Sequence, residues 1–218
     1  MPRTRRDSRP DGIYHVMNRG IDRAPIAQEE WAFALFKRCL EEISEKFNGI
    51  ILAFCLMRNH YHLLLKTPEQ NLSRIMKHFG FVYTQRFNRR YGRDGPLFRG
   101  RFHSILVAEE PYLLQVVRYI HLNPVKASVV KSPESYRWSS HPLYLDNVDE
   151  PKWLDKEYIL RYFGIDSKEA PRHFQGFVEE GCPLEVNAFY ERVRLARRID
   201  DDVVWRAYFS SVQKKQVV

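Results

Sequence analysis

Apolar positions along the first 125 residues switch between the period of a strand and the period of a helix. Ile13–Asn18 alternates like a short strand and stops at Gly20. From Ala27 to Phe47, Trp31, Phe33, Leu35, Phe36, Leu40 and Ile43 recur among Glu, Lys and Arg. That spacing predicts an amphipathic helix, closed by Asn48-Gly49. Ile50–Met57 is a continuous apolar strand, Arg58-Asn59 a tight connection and His60–Lys66 a second strand, together a hairpin. Leu72, Ile75, Met76, Phe79, Tyr83 and Phe87 then predict a helix opened by Pro68 and Asn71 and ended near Tyr91-Gly92. Leu97–Val107 reads as a further strand or hairpin arm. A helix starts at Glu109-Glu110-Pro111 and is expected to stop at Asn123, ahead of Pro124.

The resulting order, β-α-β-β-α-β-α, predicts an α+β fold: a mostly antiparallel sheet with helices on one side, in a ferredoxin-like or RNA-recognition-type layout. Asp146–Pro151 is an acidic, proline-containing break, which divides the chain into residues 1–145 and an extension, 146–218. In the extension, Asp155–Phe163, Lys168–Glu180 and Asn187–Arg198 read as short helices.

Charge changes the picture more than composition does. Residues 1–140 carry 23 Lys and Arg against 13 Asp and Glu, whereas residues 141–218 carry 12 against 14. The basic part favours a polyanionic partner, most commonly nucleic acid. The longest apolar stretch, Ile50–Met57, is far too short to span a bilayer. The N-terminus lacks the apolar segment of a secretory signal. Cys39, Cys55 and Cys182 form no CxxC, so buried thiols and a cytoplasmic location are expected.

Three groups of residues carry candidate chemistry. His60 and His62, two apart on a strand, share one face with Cα atoms roughly 6–7 Å apart. Two imidazoles are too few for a structural zinc site and leave room for substrate oxygens on a divalent cation such as Mg²⁺ or Mn²⁺. Most buried histidines, however, simply hydrogen-bond. On the later helix, Tyr119 and Asn123 lie one turn apart on a stripe shared with Tyr112 and Gln115. Tyr119 there is either a residue at the edge of the core or a nucleophile. The second role needs activation, since a free phenol has a pKa of about 10. Finally, Lys66–Arg101 holds nine Lys and Arg against two acids. Within it, Arg86, Arg89, Arg90, Arg93, Arg99 and Arg101 suggest a phosphate-gripping face. Arg3, Arg5, Arg6 and Arg9 suggest a flexible basic arm.

His60-Tyr61-His62 followed by three leucines, and Arg118-Tyr119-Ile120-His121-Leu122-Asn123-Pro124-Val125-Lys126-Ala127, resemble the HUH single-tyrosine transposases. The resemblance is strongest to the REP-associated tyrosine transposases. Further matching segments are Tyr14–Gly20, Phe54–Asn59, Tyr83–Asn88 and Gly95–Phe102, so the likeness runs from about residue 10 to residue 145. The resemblance implies a catalytic domain over 1–145 in which His60 and His62 bind a divalent metal, with Asn123 in the place of a third polar ligand. Tyr119 is then the nucleophile that attacks single-stranded or hairpin DNA and leaves a 5′-phosphotyrosine and a free 3′-OH. Tyr83 matches a supporting segment, and Tyr112 is the weaker candidate. A non-catalytic hairpin DNA or RNA binder, or a replication initiator or relaxase, are the alternatives. A second tyrosine on the helix face would favour an initiator or relaxase, but Gln115 and Asn123 flank Tyr119. Relatives act as monomers or as dimers, so both a monomer and a homodimer stay open.

Overall fold

A computed structural model describes residues 8–107, 110–145, 151–164 and 168–192. Its centre is a four-stranded antiparallel sheet of β1 (Gly12–Arg19), β2 (Ile50–Leu56), β3 (His60–Thr67) and β4 (His103–Val107), in the order β2-β3-β1-β4. Helices α1 (Glu30–Phe47) and α2 (Leu72–Tyr91) cover one face, and α3 (Glu110–Lys126) crosses the other. This is the expected α+β fold, with one difference: helices lie on both faces rather than on one. The cause is legible in β2 and β3, whose side chains are buried nearly without interruption. A strand buried on both sides needs two covering layers.

Alternation sorts the side chains between the layers. Tyr14, Val16, Phe54, Tyr61, Leu63, Leu65 and Leu106 pack beneath α1 and α2. Leu52, Cys55, Leu64, Ile105 and Val107 pack beneath α3. Both long helices on the first face stop where the backbone turns left-handed, α1 at Asn48 (φ 52°) and α2 at Gly92 (φ 57°). Tyr83 is fully buried there and its hydroxyl donates to the Ile26 carbonyl at 2.7 Å, a supporting role.

Two boundaries differ from expectation. Of Leu97–Val107 only His103–Val107 is strand; the preceding loop crosses back to β1, where Phe98 bridges Gly20 and Arg99 N–H donates to the Arg19 carbonyl at 3.0 Å. Helix α3 passes through Pro124 and ends at Lys126. Pro124 lacks the N–H that would reach the Ile120 carbonyl, a loss tolerated here in the last turn of the helix.

Gly20 sits where the chain leaves β1 and folds back through a tight turn, Ile21–Arg23. A Cβ at this position would collide with the Ala24 carbonyl oxygen and press on Ile26. Gly20→Ala is therefore expected to cost about 2 kcal/mol or more, read as a lowered urea midpoint; a midpoint equal to wild type would contradict this packing.

A short helix α4 (His141–Leu145) closes the first part of the chain, and the extension holds α5 (Glu157–Leu160), α6 (Ala170–Glu179) and α7 (Leu184–Tyr190). Where Asn187–Arg198 was expected to be helical, α7 starts earlier, and residues beyond 192 lie outside the described region, as do Arg3, Arg5 and Arg6 and most of the acidic break. Phe174, Val178, Val186 and Phe189 share one core with Leu64, Val116 and Ile120, so the extension packs onto α3. Arg118 reinforces the contact: it lies 3.5 Å from the Phe177 ring centre and donates to the Gly181 carbonyl at 2.8 Å. No helix among the described residues is long and apolar enough to cross a membrane.

Candidate active site

Strand β3 turns Tyr61 toward α1 and α2, and therefore turns His60 and His62 toward α3. The two imidazole centroids are 5.2 Å apart. Helix α3 crosses this face so that the Tyr119 ring stands edge-on to His62, 5.4 Å between centroids. One turn on, Asn123 Oδ1 lies 3.0 Å from His60 Nε2. The four residues singled out by spacing alone thus meet in one place. Tyr112 lies about two turns earlier on the same helix and is buried with Tyr119 in the core between α3 and the sheet.

Burial decides the electrostatics. It lowers the pKa of His60, against the Asn123 hydrogen bond, and lowers that of His62 further, with His15 and His60 adding to the effect. Both rings are therefore neutral near pH 7 and keep a lone pair. Tyr119, only 8% exposed, is pushed above the ordinary tyrosine value by burial first and by Cys182 and Glu191 next, while its hydrogen bond to Asn123 opposes the shift. The unaided phenol is a poor nucleophile here.

His60 also shows why a cation suits this place. Its Nδ1 lies 2.7 Å from Asn59 Oδ1 and its Nε2 3.0 Å from Asn123 Oδ1. A neutral imidazole has one proton for these two oxygens. With that proton given to Asn59, the Nε2 and Asn123 lone pairs converge, and a cation relieves the contact. Two imidazoles and an amide oxygen form a mixed donor set that fits a divalent ion still sharing its shell with substrate oxygens. Among the described residues no cluster of three or more His, Cys, Asp or Glu is placed to hold a metal, so Asn123 would have to act as the third ligand.

The arginines divide into two groups. Arg99 and Arg101 join Arg19, Arg23, Asn59 and His103 along an open groove beside the histidines, placed there by the loop that pairs with β1. Arg86, Arg89 and Arg90 line a different hollow, with Trp31 and Arg38 between α1 and α2. Arg86 is held by Glu42 at 2.6 Å, Arg90 lies over Trp31 and Arg93 over Phe87. The structure does not bring these four to the histidines.

A model of the IS200-like transposases matches residues 8–123, more than half of the chain. The chain belongs to that family. A curated REP-associated tyrosine transposase of Haemophilus influenzae is 24% identical over 116 residues, 48% of this chain and 66% of that relative, so the match leaves about a third of the relative uncovered. Among solved structures, a REP-associated tyrosine transposase bound to a REP hairpin superimposes with a TM-score of 0.58 at 16% identity. That match covers 71% of this chain and 92% of the other, and at this identity it shows a shared fold.

Several residues that meet at this site are not singled out by the sequence pattern. His15 lies on β1, diagonal to His62, because Met17 is the residue paired with His62. Its Nε2 is 2.9 Å from His62 Nδ1. Tyr190, at the end of α7, stacks on Tyr119 with centroids 3.8 Å apart. Lys126, in the turn beyond Pro124, lies 5.9 Å from the Tyr119 ring centre and pairs with Glu191 at 2.9 Å. Strand alternation would have put His15 on the right face, but only the pairing register places it at His62. Nothing in the sequence pattern brings Tyr190 there.

Proposed function

We propose that this transposase cleaves and rejoins single-stranded DNA beside a hairpin through a covalent intermediate on Tyr119. The observation that carries this reading is the meeting of His60, His62 and Asn123 around Tyr119. A hairpin binder needs none of the four in contact. The relative solved on a REP hairpin, which shares the fold, supports hairpin DNA as the partner.

In this reading, Tyr119 Oη attacks the scissile phosphorus, forming the tyrosine–phosphorus bond as the bond to the 3′ oxygen breaks. The phenol proton passes to solvent and the departing 3′ oxygen takes one up. The phosphotyrosine keeps the bond energy, so a 3′-OH can reverse the step without ATP. His60, His62 and Asn123 would hold Mg²⁺ or Mn²⁺, which when bound neutralises the scissile phosphate and the charge developing on it. Arg19, Arg23, Arg99 and Arg101 hold the backbone on either side. Both histidines and Tyr119 come together within one chain.

The test is covalent trapping: hairpin DNA from beside the protein's own gene, end-labelled, is incubated with Mn²⁺ or EDTA and run on a denaturing gel. A metal-dependent adduct is expected. A shift seen only on native gels, on every flanking hairpin, would favour the non-catalytic binder. The arginines give a separate check. Arg99→Ala and Arg101→Ala should each weaken hairpin binding about 5- to 10-fold and lower the salt slope by about 1, whereas Arg89→Ala and Arg90→Ala leave the slope unchanged. Equal effects from both groups would return the DNA to the α1–α2 side.

A further inference from the structure

The C-terminal extension enters the site through one hydroxyl. Tyr190 Oη lies 2.8 Å from His15 Nδ1, and His15 Nε2 lies 2.9 Å from His62 Nδ1. His15 is fully buried and His62 nearly so, and the partly buried Tyr190 closes a continuous relay from α7 to the histidine pair. The same Tyr190 ring stacks on Tyr119, so one residue of α7 touches both halves of the site.

A relay of this kind has two proton arrangements. In the first, the Tyr190 hydroxyl donates to His15 Nδ1, His15 Nε2–H donates to His62 Nδ1, and the proton of His62 sits on Nε2. In the second, His62 Nδ1–H donates to His15 Nε2 and His15 Nδ1–H donates to the Tyr190 oxygen. Only the second leaves a lone pair on His62 Nε2. The free nitrogen of an imidazole is decided by the hydrogen bond its other nitrogen makes. His60 has its own partner for that purpose in Asn59.

We infer that His15 and Tyr190 are positioning residues that hold His62 in its Nδ1-protonated form, with Nε2 free to ligate a divalent cation. The extension beyond the family match is then a working part of the site rather than a separate appendage. This inference rests on the metal-binding role proposed above for His62. A hydroxyl suits the end of the relay because it can accept from His15 while keeping its own proton. A phenylalanine at 190 would keep the stack on Tyr119 but leave His15 Nδ1–H buried with no acceptor. Buried N–H groups are seldom left unpaired. The relay would then reverse, moving the His62 proton to Nε2.

The experiment uses the full chain with ¹⁵N-labelled histidine, first metal-free and then titrated with Mn²⁺ alone. Long-range ¹H–¹⁵N correlation should show His62 protonated on Nδ1 in wild type and shifted toward Nε2 in Tyr190→Phe. Mn²⁺ affinity, followed by electron paramagnetic resonance, should fall about 10-fold in Tyr190→Phe, the lower end of what removal of an outer partner costs. In His15→Gln, an amide oxygen can accept from His62 Nδ1–H without Tyr190. Adding Tyr190→Phe to that background should then change nothing. An equal loss in both backgrounds would mean that Tyr190 only packs, and would overturn the inference. So would a His62 proton on Nε2 in wild type, or an unchanged tautomer and affinity in Tyr190→Phe. If His62→Ala binds Mn²⁺ as wild type does, the metal site itself fails. If His62→Ala loses binding and Tyr190→Phe does not, the relay alone fails.

Discussion

Tyr119→Phe should abolish the covalent adduct while leaving hairpin binding within about twofold of wild type. Phenylalanine keeps the stack on Tyr190 and the edge contact with His62; only Oη is lost. A binding surface made of arginines does not depend on that oxygen, but a nucleophilic step depends on it entirely. Loss of a nucleophile acting with its partners typically removes three or more orders of magnitude in rate, so adduct formation should fall at least about a thousandfold, to background. Tyr112→Phe and Tyr83→Phe are the comparisons, since Tyr83 is buried beneath α1 and α2 and Tyr112 lies about two turns of α3 before Tyr119. Tyr83→Phe loses the bond to the Ile26 carbonyl and should lower stability by about 1 kcal/mol with the adduct retained. An adduct that survives in Tyr119→Phe and vanishes in Tyr112→Phe would place the nucleophile on the wrong tyrosine.

Much of this site is legible in the sequence because its geometry is local. His60 and His62 share a face through strand period, and Tyr119 and Asn123 share one through helix period. Neither inference needs knowledge of how the elements pack. What is not legible is what comes from register or from distant segments. His15 becomes a partner of His62 only because β1 pairs with β3 so that Met17 faces His62. The arginines mark the same boundary. Charge density grouped Arg86–Arg101 as one face, yet Gly92 ends α2 and the loop beyond it crosses to β1, so that Arg99 and Arg101 part from Arg86, Arg89 and Arg90. The two-sided sheet was open to deduction, since the unbroken apolar run of β2 has no polar face to give to water. Pro124 misled in a different way: a strong local stop signal was overridden near a helix end, with Lys126 carried to Tyr119 as the consequence.

On the proposed mechanism, His62→Ala should lower adduct formation by at least about a hundredfold, and EDTA should do the same to wild type, because both would remove the charge partner of the scissile phosphate. The pH dependence then distinguishes these histidines from ordinary ones. An imidazole ligates only when neutral, and an exposed histidine loses half of that form at about pH 6.5. Burial lowers the pKa of His60 and of His62, so their neutral forms persist as pH falls below 6.5. The acid limb of adduct formation at saturating Mn²⁺ is therefore expected below pH 6.5. Stability also declines over this range. Below pH 6.5 the unfolded chain takes up protons that the buried rings refuse, so stability falls as pH falls. For His15, whose pKa burial lowers to about 3, the slope rises from half of the full ~1.4 kcal/mol per pH unit at pH 6.5 towards the full value, a loss of about 1–2 kcal/mol between pH 6.5 and 5. His141, lowered to about 4 by burial, contributes a similar amount over that interval. Urea midpoints at the two pH values measure the stability change, and adduct yield on protein shown by circular dichroism to be folded measures the chemistry. A protein that stays folded at pH 5.5 but loses adduct with a midpoint at 6.5 or above would show that the histidines titrate as exposed groups, and the buried donor set would have to be abandoned.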